Sequence, residues 1–180
     1  MRLWPHRAPG EGGFIALLRR EGGTAAPAPL VRPRRELPAW ARQAFEAFCQ
    51  EHLLGMSAAE FKLAALGSRL YALPSDVPDL RGLRVVRAGW WLGSFRRGRF
   101  QPSQALAMGL TCKAVRQVLD LPPEGEEVLA YLRGESLPSA GEDGWVLIAV
   151  DGYPLGWGRR VRGVVKNRYP RAWRNMASSV

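Results

Sequence analysis

The spacing of apolar positions changes several times along this chain, and each change marks an element. Phe14, Ile15, Leu17 and Leu18 form a short apolar run bounded by glycine and arginine, which predicts a strand over residues 13–18. Residues 22–35, with Pro27, Pro29 and Pro33, hold neither a ladder nor a helix and read as a linker. From Pro38 the period becomes helical, with Trp40, Ala44, Phe45 and Phe48 on one stripe and Arg42, Glu46 and Gln50 off it. Residues 61–66 and 70–73 predict a short hairpin around Gly67-Ser68-Arg69, and Val85-Val86 and Trp90-Trp91-Leu92 predict strands broken at Gly89. Residues 102–108 open with helix-entry chemistry at Pro102-Ser103 and continue with good helix formers.

The second half of the chain has its own punctuation. Residues 115–119 suit either strand or helix, and Pro122-Pro123 then breaks the chain. An acidic-fronted helix is expected over residues 124–132, ending near Gly134, followed by a buried strand over residues 145–150. Two last strands are expected around Gly156-Trp157-Gly158 and residues 161–166. Short strands, interspersed helices and frequent glycine predict an α+β fold with a small barrel-like sheet. Internal repeats are absent from the sequence.

Composition makes a polyanionic partner the leading expectation. The 180 residues are 47% hydrophobic, enough for one core or for two small modules sharing an interface. Lys and Arg number 26 against 16 Asp and Glu, for a net charge of +10. Such a surplus attracts nucleic acid or an anionic membrane. Nearly all of it is arginine, whose fork makes two-point contacts with phosphate. The charge is also segregated. Every charged residue from Arg81 to Arg116 is basic, nearly all from Asp120 to Asp151 are acidic, and all from Arg159 onward are basic again. Either the molecule has a basic binding face and an acidic back, or the acidic segment pairs with the basic ones inside the fold. Cys49 and Cys112 are too few for a disulfide framework, and metal-ligand spacings are absent. No apolar window approaches a membrane span, and the expected location is the cytoplasm.

Two segments concentrate the candidate chemistry. In the first, Arg96, Arg97 and Arg99 crowd a turn at Gly98 beside Phe100, which is either an aromatic platform or a core residue. In the second, Tyr153, Trp157 and Tyr169 interleave with Arg159, Arg160, Lys166 and Arg168, and Arg171 follows. Stackable rings among cations suit unpaired bases and phosphates. Trp157 and Tyr153 equally suit barrel filling with their polar tips partnered. Arg97→Ala and Arg160→Ala are expected to weaken RNA binding with the melting midpoint unmoved.

These residues also carry a resemblance. The stretch 145–158, followed by Lys166-Asn167-Arg168-Tyr169-Pro170, resembles the C-terminal PUA-like RNA-binding domain of bacterial NOL/NOP/Sun-family RNA 5-methylcytosine methyltransferases. The similarity is to the type that acts on small-subunit ribosomal RNA, the F type. Arg87-Ala88-Gly89 with Leu92-Gly93, Arg99-Phe100 with residues 102–107, and Tyr131-Leu132-Arg133-Gly134-Glu135 match the same family. Leu3-Trp4-Pro5-His6, Gly10-Glu11-Gly12 and Phe14-Ile15-Ala16 look like the end of its catalytic domain. The resemblance implies a PUA-like mixed β-barrel with flanking helices, preceded by a smaller α/β module. It divides the chain into a catalytic-domain remnant plus linker at 1–36, a first module at 37–122 and a PUA-like module at 123–180, the last two able to pack as one unit. Two departures stand out. Pro170-Arg171-Ala172-Trp173-Arg174 keeps the charge of the family's usual ending without its glycine, and Arg168 stands where relatives often carry histidine.

What the resemblance implies for function is ribosomal RNA binding in the service of cytosine-5 methylation, with SAM as the parent enzyme's cofactor. This chain itself has no glycine-rich SAM loop and no Pro-Cys motif, so neither catalysis nor a cofactor or metal is expected of it. Thr111-Cys112 matches the family's nucleophile dipeptide but follows a helix and lacks an acid or base to activate the thiol. His6 and His52 have no partners at useful spacing, and Asp151 before Gly152 suits a turn. Three roles are therefore weighed: an RNA-binding region that positions ribosomal RNA; an accessory subunit that completes a methyltransferase catalytic domain in trans; and a domain that docks on an acidic ribosomal or RNA-processing factor. A membrane role is disfavoured, because the cations sit among glycine-rich strands and not on an amphipathic helix.

Overall fold

A computed structural model describes residues 2–3, 13–14, 37–74 and 89–174. Two strand pieces come first, β1 (Arg2–Leu3) and β2 (Gly13–Phe14), paired antiparallel. The remainder of the strand expected over 13–18, the linker and the Val85-Val86 strand lie outside the described residues. The chain then forms helix α1 (Ala39–His52). Pro38 precedes it with extended backbone, as a helix entry requires. Its buried stripe is Ala41, Phe45, Phe48, Cys49 and His52. Trp40 and Ala44, expected on that stripe, are off its centre. Trp40 is exposed on one side and sets its ring edge-on to Phe95, 4.9 Å between centroids.

The first sheet is an antiparallel meander of β3 (Lys62–Leu66), β4 (Arg69–Leu73), β5 (Trp90–Arg96) and β6 (Arg99–Pro102), in that spatial order. Helix α2 (Gln104–Gly109) follows at once. Ser103 is its N-cap: the hydroxyl accepts the Leu106 N–H at 2.9 Å and donates to the Trp91 carbonyl. The second sheet holds β7 (Val118–Leu121), β8 (Leu137–Pro138), β9 (Gly144–Val150), β10 (Tyr153–Val161) and β11 (Val164–Asn167), in the order β7-β9-β10-β11-β8. Helix α3 (Glu126–Arg133) lies between β7 and β8 in sequence. The ambiguous segment 115–119 resolves as the approach to β7, which runs parallel to β9.

The fold is thus α+β, with two sheets of which the second is a curled half-barrel, as expected of a PUA-like body. One apolar cluster joins the sheets: Phe48 of α1, Phe100 of β6, Leu106 of α2, and Trp145, Leu147 and Trp157 of β9–β10 are all buried in it. A second cluster fills the other face of the second sheet, where Tyr131 of α3 packs with Val146, Ile148 and Val165. Polar contacts reinforce the seam. The Trp157 indole N–H donates to the Ser103 carbonyl at 2.9 Å, and the Gln104 amide donates to the Leu155 carbonyl at 2.6 Å.

A candidate nucleic-acid interface

Strand parity decides which side chains of the second sheet reach solvent. Residues directly opposite in an antiparallel pair point to the same face, and neighbours along a strand point to opposite faces. Trp145, Arg159 and Lys166 are opposite one another across β9, β10 and β11 and share the face toward α1. Gly144, Arg160 and Val165 form the next row and share the face toward α3. Arg159 and Arg160 therefore part company.

Arg159 is half-buried with its guanidinium carbon 5.7 Å from the Trp145 ring centroid. Arg168 reaches the same ring at 5.9 Å and is exposed, as is Lys166. The indole is nearly buried, so it orients two cations by cation–π attraction while their heads stay wet. Among the described residues, the ion pair is Arg133–Glu135, and a neutral His52 lies 3.4 Å from the Glu51 carboxylate; neither uses this basic row. The acidic side chains Glu126 and Glu127 are exposed on α3, across the sheet from the row.

Arg160 requires a correction. It is 5% exposed, and its guanidinium donates to the Gln117 side chain, to the Ser139 hydroxyl at 2.9 Å and to the Glu142 carbonyl at 3.4 Å. It ties the loop after β8 to the approach to β7. Arg160→Ala should destabilise the fold by about 1–2 kcal/mol, because it removes a buried side chain and its hydrogen bonds to half-buried partners. A denaturant titration checks this, and a loss below roughly 0.5 kcal/mol would return Arg160 to the surface set.

The hairpin tips carry the other arginines. β5 turns into β6 through Arg97 and Gly98, with φ of 51° and 73°, and β10 turns into β11 through Arg162 and Gly163, with φ of 51° and 76°. Two-residue turns of this hand need both central residues left-handed, and asparagine or aspartate usually takes the first place. Arginine there accepts backbone strain, and both arginines are exposed. The Asp143 carboxylate accepts the Arg162 N–H at 2.7 Å and fixes that tip. Arg96 and Arg99 are exposed and opposite each other beside the first tip.

The aromatic candidates divide differently. Trp157 is 1% exposed and belongs to the core, so it stacks on no ligand. Its flanking glycines make room: a β-carbon at Gly158 would strike Val165, and one at Gly156 would strike the Tyr131 hydroxyl. Phe100 is likewise core, between Phe45 and Phe48 at 5.0 Å each. Tyr169 is half-buried between Tyr131 and Trp173. Arg171 is exposed on the turn between Tyr169 and Arg174, which packs beside Gly134 at the end of α3, apart from the Arg159 row. Tyr153 is 75% exposed, but it sits at the far end of the β9–β10 hairpin, about 20 Å along the strands from Arg159. The turn beside it is formed by Asp151 and Gly152, and the Asp120 carboxylate accepts the Gly152 N–H at 3.0 Å.

Between α1, the β5–β6 hairpin and the adjoining ends of β9 and β10 lies a cleft of about 550 Å³. Arg99 and Arg159 line it together, so it joins the two basic segments. His52, Gln101 and Trp145 line it too, and none of these drew attention in the sequence as a ligand contact. His52 is buried, which pushes its pKa down and keeps the imidazole neutral at neutral pH.

The surroundings of Cys112 disfavour its thiolate. Burial and the nearby Asp120 push its thiol pKa up, and the thiol donates to the Gly152 carbonyl at 3.1 Å. Among the described residues no group of three or more His, Cys, Asp and Glu is placed to hold a metal, and no helix is long and apolar enough to cross a membrane.

Comparison with known families bears on the two sheets and not on individual side chains. A family model described as the first C-terminal domain of RsmF rRNA methyltransferase matches residues 47–110, and one described as the PUA domain of methyltransferase RsmF matches residues 118–175. Together the matches cover more than half of the chain.

Proposed function

On the premise that the chain belongs to the RsmF family of rRNA methyltransferases, as part of their C-terminal region, we propose that its basic row grips ribosomal RNA and positions one cytosine for methylation. An RNA-binding role in an rRNA methyltransferase follows from the family. The finer reading concerns how. Arg159, Lys166 and Arg168 on the second sheet, with Arg96, Arg97 and Arg99 on the β5–β6 hairpin, neutralise backbone phosphates and release counterions. The two modules act as one body, divided just before β7 because that strand belongs to the second sheet, a reading that the shared apolar core supports.

The chain supplies placement, not bond-making. A methyltransferase catalytic domain, in cis or in trans, would bind SAM and carry the nucleophile that attacks the cytosine ring. Holding the RNA against that domain turns an encounter between two molecules into a local event, which is where much of an enzyme's entropic advantage comes from. The observation that carries this reading is the Trp145–Arg159–Lys166 row, free of acidic partners among the described residues.

A band-shift titration against ribosomal RNA fragments at several salt concentrations tests it. Affinity should fall steeply with salt, and Arg97→Gln should flatten the logarithmic slope by about one unit with the melting midpoint unchanged. Affinity indifferent to both RNA identity and salt would overturn the reading.

A further inference from the structure

We propose that the cleft between α1, the β5–β6 hairpin and the β9–β10 ends receives one unpaired ribonucleotide of the bound RNA. The inference rests on the RNA-binding reading and adds where a base goes. Three observations carry it.

The first is size and position. At about 550 Å³ the cleft falls in the range of pockets that enclose a small ligand, and it lies on the seam between the two sheets, where such pockets concentrate. A space of that volume is of the order of one nucleotide and far too small for a duplex. The second is the lining. Phe48, Phe100 and Trp145 form the floor, and as core residues they present ring edges to the cleft and not faces to stack on. Gln101, neutral His52 and the Glu51 carboxylate supply donors and acceptors for a base edge. The third is the rim. Arg99 and Arg159 stand on walls contributed by different sheets, so phosphates on either side of the inserted nucleotide each meet a guanidinium. Arg159 is also the first member of the row that continues to Lys166 and Arg168, so the cleft opens directly onto the proposed RNA track.

RNA recognition often works this way, with a splayed-out base enclosed and its neighbours held by backbone contacts. Extrusion costs a few kcal/mol from a paired helix and much less from a bulge or loop. The cleft therefore selects for a place where ribosomal RNA already offers an unpaired nucleotide.

The test uses the full chain and two RNA duplexes that differ in one extrahelical 2-aminopurine nucleotide. The intact chain should prefer the bulged duplex by about tenfold, because its extrahelical base enters the cleft without a pair having to be broken, and should change the 2-aminopurine fluorescence on binding. Ala47→Trp, on the exposed side of α1 facing the cleft, fills the space without removing a charge. Ala47→Phe fills less of the same space from the same position, again without removing a charge. Either variant should abolish the preference and the fluorescence change while binding the fully paired duplex as the intact chain does. That unchanged binding also reports that the variant is folded. Persistence of the preference in a variant that binds paired RNA normally would overturn the cleft assignment, as would equal binding of both duplexes by the intact chain. Binding of neither duplex at low salt would instead bring down the RNA-binding reading, and this inference with it.

Discussion

Trp157→Ala is expected to cost about 4 kcal/mol of folding stability, the largest loss from any single change considered for this chain. The indole is packed edge-on to Phe48 and Trp145, with centroids 6.1 and 6.2 Å away, so truncation opens a cavity on the seam between the two sheets. It also orphans the buried Ser103 carbonyl that accepts the indole N–H. The same residue's carbonyl accepts the Tyr131 hydroxyl at 2.8 Å and the Arg168 N–H at 3.1 Å, so the disturbance reaches α3 and the basic row as well. For a chain of this size the melting midpoint should fall by about 10 °C. Trp157→Phe keeps the packing and loses the hydrogen bond, and should cost about 1–2 kcal/mol. Calorimetry or urea unfolding checks both. A cost below about 1 kcal/mol for Trp157→Ala would mean that the two sheets are not joined through this ring.

The combined variant Arg99→Gln, Arg159→Gln, Lys166→Gln is expected to produce the largest loss of binding. Each phosphate contact contributes about tenfold to affinity at 50 mM salt through counterion release, so removing three should weaken ribosomal RNA binding on the order of a thousandfold. The logarithmic salt slope should flatten by about three units, and the difference from the intact chain should shrink as salt rises. Stability should change little, because Arg99 and Lys166 are exposed and only Arg159 loses a packed contact, worth about 0.5–1 kcal/mol over Trp145. Arg133→Gln on α3, where the guanidinium already pairs with Glu135, is the matching control and should leave the slope as it was. A triple variant that retained the original slope would remove the row from the interface.

Much of this was legible in the sequence wherever the signal is local. Pro38 and the helical spacing after it announce α1, Pro102-Ser103 announces α2, and the Arg96–Arg99 turn is the tip of a hairpin. The blocks of basic, acidic and basic residues were also readable, but they do not map one face each: Glu126 and Glu127 lie on the far side of the second sheet, while Asp143 of the same acidic block lines the cleft with Arg99 and Arg159. In α1 the stripe was misplaced by one position. Phe45 and Phe48 fit either a stripe through Trp40 and Ala44 or one through Ala41, Cys49 and His52, and only the surrounding sheets choose the second.

The candidate site was harder to read for a definite reason. Arg159 and Arg160 look alike in sequence, and which one faces solvent depends on strand register, which only the partner strands fix. A clue existed in Gly158, which shares parity with Arg160 and makes room for Val165 on the packed face. Glycines around Trp157 fit a ring that meets a ligand as well as one that fills the barrel, and the structure shows them as the clearance for Tyr131 and Val165 beside a buried ring. The cleft was not legible at all. Its walls come from α1, the β5–β6 hairpin and β9–β10, and no spacing rule connects segments so far apart. Nor does sequence announce β7, whose parallel partner β9 lies beyond an intervening helix.

The central claim is that RNA lies on the face carrying Arg159, Lys166 and Arg168 and on the neighbouring β5–β6 hairpin, and not on α3. NMR titration of the chain with a ribosomal RNA fragment tests it most directly, read at the arginine Nε–Hε and backbone amide resonances. Shifts should concentrate at Arg97, Arg99, Arg159, Lys166 and Arg168, leaving Glu126–Arg133 unmoved. Shifts confined to α3 and its surroundings, with the basic row silent, would contradict the account.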